Sequence, residues 1–186
     1  MIIHLQDCPE QPWKNGLGST REIAVQPSDT NSEAFLWRVS IAAVDTAAPF
    51  SQFQGIDRHI ALLSGNGFSM KLDDSQTHEL VKPFEPFAFA GEAIVAVKLV
   101  DGPTRDFNLM VRRARASGEV QVWRGPETRS SNAATVLLFC AYGEVDTVEG
   151  RLYAGDAWRP SLLTAAAVTL RGSAVALAVH IEAHAL

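Results

Sequence analysis

Residues 13 to 22 read Trp13-Lys14-Asn15-Gly16-Leu17-Gly18-Ser19-Thr20-Arg21-Glu22, with an aromatic ring, two cations, a carboxamide, two hydroxyls, a carboxylate and two glycines in close succession. Gly16 and Gly18 permit backbone conformations that bring side chains and amides close to a ligand, and binding groups concentrate on loops held by a rigid scaffold. Lys14 and Arg21 call for an anionic partner. A second set of polar residues interrupts apolar runs: Arg38 in Leu36-Trp37-Arg38-Val39-Ser40, Asp57-Arg58 ahead of Ile60-Ala61-Leu62-Leu63, and Asn108 between Phe107 and Leu109. Such groups cost several kcal/mol when buried without partners, so they must meet one another or a ligand. A guanidinium fork with a carboxamide beside it suits a small carboxylate. The binding set expected from these residues is Trp13, Lys14, Asn15, Arg21, Arg38 and Asn108, with Glu22, Asp57 and Arg58 as supporting groups behind it. Asp57 and Arg58 also admit an internal Arg–Asp network that ties sheets together.

Other chemistries lack their residues. His4, His59, His78, His180 and His184 include no His-x-His pair followed by a nearby Glu. On a strand, His180 and His184 would stand about 13 Å apart, too far for one ion. Neither a metal nor any other cofactor is expected. Cys8 and Cys140 are isolated thiols that suggest neither a disulfide framework nor a zinc site. Ser64-Gly65-Asn66-Gly67 is a turn signature and not a nucleophile elbow.

The elements that must position these groups are strands. In Phe35-Leu36-Trp37-Arg38-Val39-Ser40-Ile41-Ala42 the large apolar residues fall at 35, 37, 39 and 41, while Arg38 and Ser40 share the other face. The same alternation predicts further strands at 2–5, 19–25, 58–64, 67–72, 77–81, 86–89, 94–100, 106–112, 119–124, 134–141, 145–148, 164–170 and 174–182. Residues 161–168 fit helix or strand. The expected fold class is all-β with little helix: two stacked jelly rolls, residues 1–101 carrying the site and residues 102–186 forming the second, divided at Asp101-Gly102-Pro103. With 186 residues, 47% of them hydrophobic and 20% charged, the chain can bury a sizeable core. A net charge of −5 argues against nucleic acid as a partner. No signal-peptide pattern opens the chain and no long apolar run follows, so a cytoplasmic protein without membrane contact is expected.

Pro12-Trp13-Lys14-Asn15-Gly16, Ser19-Thr20-Arg21-Glu22-Ile23-Ala24, Phe35-Leu36-Trp37-Arg38-Val39-Ser40, Pro49-Phe50-Ser51-Gln52-Phe53, Gly55-Ile56-Asp57-Arg58, Leu62-Leu63-Ser64-Gly65 and Asp106-Phe107-Asn108-Leu109-Met110 resemble, in order and spacing, the HutD/Ves family. Residues 1–113 carry the likeness; Leu17 stands where the family usually has a third glycine. The resemblance implies a bicupin fold without the metal-binding histidines of other cupins. It also implies a link to histidine utilisation through binding of an intermediate such as urocanate or a formylated glutamate, or a stress-related role in the Ves branch. The alternatives are a metal-independent lyase, isomerase or hydrolase using Glu22 or Asp57 as general base, and a protein-interaction module, including a homodimer through an exposed β edge.

Overall fold

Period-two alternation organises nearly the whole chain. The computed structural model describes residues 1–28, 34–161 and 165–184, and residues 162–164 of the ambiguous 161–168 stretch lie outside it. After β1 (Ile2–Ile3) comes a 3-10 turn at Leu5–Asp7, the one helical element among the described residues. The strands β2 (Glu10–Pro12), β3 (Gly18–Gln26), β4 (Trp37–Val44), β5 (Ile56–Ser64), β6 (Phe68–Leu72), β7 (Gln76–Leu80), β8 (Phe87–Ala90), β9 (Val95–Leu99) and β10 (Thr104–Arg112) follow. They form a six-stranded sheet of order β2-β3-β4-β10-β5-β8 and a three-stranded sheet of order β7-β6-β9. Then come β11 (Ala116–Arg124), β12 (Glu127–Ser130), β13 (Thr135–Tyr142), β14 (Glu144–Thr147), β15 (Gly150–Tyr153), β16 (Ala157–Trp158), β17 (Ala167–Leu170) and β18 (Val175–Ala183). These build a five-stranded sheet of order β1-β16-β13-β18-β11 and a four-stranded sheet of order β12-β17-β14-β15.

The chain divides into a unit Pro9–Ser117 and a unit made of Met1–Cys8 with Gly118–Leu186. This differs from a division at residue 101. The Asp101-Gly102-Pro103 turn leads into β10, which pairs with both β4 and β5 inside the six-stranded sheet. Meanwhile β1 pairs with β16, so the first residues belong with the last. A turn signature marks a chain reversal but does not say which sheet receives the next strand. The strands β2, β12, β15 and β16 also escape the sequence pattern.

Each unit has its own interior. In the first, Ile60 and Leu62 pack with Phe68, Met70, Leu72, Leu80 and Val95. Leu138, Cys140, Trp158, Val168, Leu170 and Ala176 belong to the apolar interior of the second. Burial there pushes the Cys140 thiol up to about 12, so it stays protonated. The turn at Ser64-Gly65-Asn66-Gly67 depends on its glycines: Gly67 has φ +76°, and a Cβ there would collide with the Leu80 carbonyl.

Candidate functional site

The inner face of the six-stranded sheet is set by strand parity. On β4 it presents Arg38, Ser40, Ala42 and Val44; on β5, Arg58 and Ile60; on β10, Asp106, Asn108 and Met110. Register then fixes who stands beside whom. Met110 lies between Arg38 and Arg58, Asn108 between Ser40 and Ile60, and Asp106 between Ala42 and Leu62. These rows form the floor of a cavity of about 460 Å³, walled also by Trp13, Lys14, Asn15, Thr20, Phe50 and Phe53.

Arg58 is the most confined cation. It is 6% exposed, with Phe50, Phe53 and Phe89 around its guanidinium at 5.1, 5.6 and 4.9 Å from the ring centres. One terminal nitrogen donates to Asn108 Oδ1 at 3.0 Å, and its buried Nε has no hydrogen-bond partner among the described residues. Burial, reinforced by the positive charge of Arg38, lowers its pKa from 12.5 to about 10. Arg38 stands over Phe35 at 5.5 Å and donates only a weak bond, 3.6 Å, to the Met110 sulfur; its buried Nε is also without a partner among the described residues. No carboxylate of the described residues forms an ion pair with either arginine within 4 Å. Two guanidinium groups held on apolar and aromatic surfaces, both lining one cavity and neither paired with a carboxylate of the described residues, form an arrangement that favours an anion.

At the other end of the floor, Asp106 is fully buried, and its carboxylate accepts only the Thr104 hydroxyl, at 3.3 and 3.5 Å. Burial raises its pKa from 3.8 to about 7. At the mouth, Trp13 Nε1 donates to Thr20 Oγ1 at 2.8 Å, and the indole lies on Gly18, where a Cβ would come 2.9 Å from the ring and collide with the Ala43 carbonyl. Gly16 turns the loop with φ +70°. Asn15 Oδ1 accepts the Leu17 amide at 3.1 Å, while the Leu17 carbonyl accepts from Asp45 and Thr46, both at 3.2 Å. Leu17 has no positive φ, so leucine fits there without strain.

Of the residues expected from sequence, the structure brings Trp13, Lys14, Asn15, Arg38 and Asn108 to the cavity and adds Arg58 to its wall. Arg21 is elsewhere. Being next to Thr20 on β3, it points to the opposite face and pairs with Glu10 at 2.7 Å. Glu22 is exposed and outside the lining. Asp57 cannot orient Arg58, because neighbours on a strand face opposite ways; it binds Arg113 instead, at 2.6 Å, in a brace that Glu92 completes at 3.0 Å. Asp106, Met110, Thr20, Ser40, Phe50 and Phe53 line the cavity without having been singled out. Parity with Asn108 was the available signal for Asp106 and Met110. Among the described residues no cluster of three or more His, Cys, Asp or Glu side chains could hold a metal ion.

A family model described as HutD matches residues 5–183. The chain belongs to the HutD family. An uncharacterized 21.2 kDa protein in the hutC 3′ region of Pseudomonas putida is 40% identical over 145 residues, covering 78% of this chain and 75% of that protein. Protein Ves of Escherichia fergusonii is 39% identical over 119 residues, 63% of this chain and 61% of its own length. Among solved structures, HutD from Pseudomonas fluorescens SBW25 superposes with a TM-score of 0.88 at 32% identity, covering 100% of this chain and 99% of that one. A cupin 2 conserved barrel protein from Leptotrichia buccalis matches with a TM-score of 0.62 at 9% identity over 98% and 96% of the two chains, a likeness of fold alone. HutD-family membership and cupin-like neighbours agree with the all-β, bicupin reading of the sequence. Among the described residues no helix is long and apolar enough to cross a membrane.

Proposed function

We propose that the cavity of the Pro9–Ser117 unit binds a small carboxylate metabolite of the urocanate or formylglutamate class, and that this binding tunes histidine utilisation in the cytoplasm. The observation that supports this reading is the row Arg38–Met110–Arg58: two cations on one cavity wall, each with a buried Nε lacking a hydrogen-bond partner among the described residues and with no carboxylate paired to it. A carboxylate entering the cavity meets charge-assisted donors from both sides, with the Asn108 amide beside them. The hutC-region and HutD names of the relatives support the histidine-utilisation side of the reading.

Arg38 acts as a bidentate carboxylate contact, Arg58 as the buried countercharge, Lys14 as the cation at the mouth and Trp13 as a ring wall. Glu22 and Asp57 are poorly placed for a general base, the first exposed and outside the lining, the second engaged with Arg113. Calorimetric titration of the purified protein with urocanate and with N-formylglutamate tests the proposal. Saturable binding without consumption of ligand is expected, weakened in Arg38→Ala by about ten-fold or more, the equivalent of one charge-assisted contact. Unchanged affinity in Arg38→Ala removes this residue from the site, and turnover of either compound replaces the binding role with an enzymatic one.

A further inference from the structure

Resting on the carboxylate reading above, we propose that Asp106 sets the specificity of the cavity: among small carboxylates it selects those with a hydrogen-bond-donating N–H group at the end remote from the carboxylate. The argument starts from the distribution of donors and acceptors. Arg38 and Arg58 are donors only. Asn108 has its Oδ1 occupied by Arg58, which leaves its amide N–H groups for other partners. Thr20 accepts the Trp13 indole N–H, so its hydroxyl proton is directed elsewhere. Lys14 adds a further donor at the mouth. Against this, Asp106 is the one carboxyl among the described lining residues.

Asp106 also stands apart from the cations. Asp106, Asn108 and Met110 follow one another on one face of β10, so the Asp106 row and the Arg38–Met110–Arg58 row lie about 13 Å apart along the strand at the usual rise. The floor thus runs from a cationic end, through an amide, to a carboxyl end. A ligand lying along it presents acceptors to the arginines and a donor to Asp106.

The protonation state of Asp106 fits this use. It is fully buried, flanked by Ala42 and Leu62, and holds a single hydroxyl partner. Such a carboxyl resists ionisation until a donor arrives, and its midpoint near 7 leaves both forms populated at neutral pH. The charged groups facing the same space are Lys14 from the loop after β2, Arg38 from β4 and Arg58 from β5; β3 contributes Thr20, with exposed Glu22 in register with Ser40. An N–H donor pulls Asp106 to its ionised form and expels its proton, whereas a carbonyl in the same place draws a proton in. The two kinds of ligand are therefore told apart by the sign of proton exchange as well as by affinity. A site built around a buried hydrogen-bonding group rejects an isostere that leaves the group unpaired far more strongly than an apolar pocket does.

The test compares two isosteric probes that do not titrate near neutrality, a pyrrole-propanoate with a ring N–H and the matching furan-propanoate, by calorimetry at pH 7 in two buffers of different ionisation enthalpy. The pyrrole compound is expected to bind about ten-fold or more tightly than the furan compound, with release of about half a proton. Asp106→Leu is expected to bring the two affinities together. Asp106→Asn, which keeps a carbonyl acceptor and the side-chain shape, retains part of the preference but releases no proton, and it serves where the leucine variant fails to fold. Equal binding of both probes to the wild-type protein, proton uptake on binding of the pyrrole compound, or a preference that survives Asp106→Leu overturns the inference and leaves the carboxylate reading standing. Binding of neither probe overturns both.

Discussion

Replacing Arg58 by Met separates a binding arginine from a structural one. The guanidinium is 6% exposed, and its pKa is depressed from 12.5 to about 10 by burial and then by Arg38. That depression corresponds to about 3 kcal/mol against the charged form. Opposing it are the contacts with Phe50, Phe53 and Phe89, at about 0.5–1 kcal/mol each, and the bond to Asn108 at about 1 kcal/mol. The two sides nearly cancel. Met is unbranched and soft enough to fill the space between the rings, so Arg58→Met should change the stability of the ligand-free protein by no more than about 1 kcal/mol, or about 2–4 °C in melting temperature. Removal of a buried charged core residue with a purely structural role would cost about 3–5 kcal/mol. Binding should behave oppositely: loss of a charge-assisted contact in a desolvated cavity weakens a carboxylate by about 100-fold. Thermal melts with and without N-formylglutamate, together with titration of both proteins, supply the two numbers. A variant that melts more than about 10 °C lower yet binds with wild-type affinity would refute the reasoning and make Arg58 a brace of the fold.

Three further outcomes follow from the same structure. Asp106 has a raised pKa, so the folded protein holds its proton between pH 4 and about 7 while the unfolded chain does not; stability falls as pH rises through that window. Asp106→Asn should accordingly be more stable than wild type at pH 8 by a few kcal/mol, with the advantage shrinking toward pH 4 in denaturant titrations. Glu92 shows the reverse case: its bonds to Arg113 and to the backbone hold its pKa at about 2, so its contribution is present above pH 4.5 and lost as pH falls toward 2. Because this brace is largely solvated, Glu92→Gln should cost only about 1 kcal/mol at pH 7 and nothing near pH 2. Arg21→Ala should leave carboxylate affinity within about two-fold of wild type by calorimetry, since Arg21 pairs with Glu10 on the outer face.

How much of this was legible depended on parity. In β4 the large residues at 37, 39 and 41 declare one face, so the sequence alone assigns Arg38 and Ser40 to the other. In β3 the run Ser19-Thr20-Arg21-Glu22 is polar at every position, and nothing within it says that Thr20 and not Arg21 turns inward. That depends on pairing with Ala42 and Ile41. Asp57 and Arg58 carried a similar ambiguity: adjacency in sequence suggested a partnership that a strand forbids. Asp106 was hidden for another reason. A single Asp at the start of a strand reads as a turn residue, and its interior place appears only once β10 is paired between β4 and β5, with Ala42 and Leu62 at its flanks. Residues such as Phe50 and Phe53 had no pattern separating them from ordinary core.

The seat of Trp13 at the cavity mouth has a practical corollary. Trp37, Trp123 and Trp158 are 3%, 3% and 1% exposed, whereas Trp13 is only partly covered and borders the space a guest would fill. Its emission is therefore the indole signal positioned to respond to occupancy. Intrinsic fluorescence, with Trp13→Phe as the blank, turns the molecule into its own label-free sensor for screening a metabolite library.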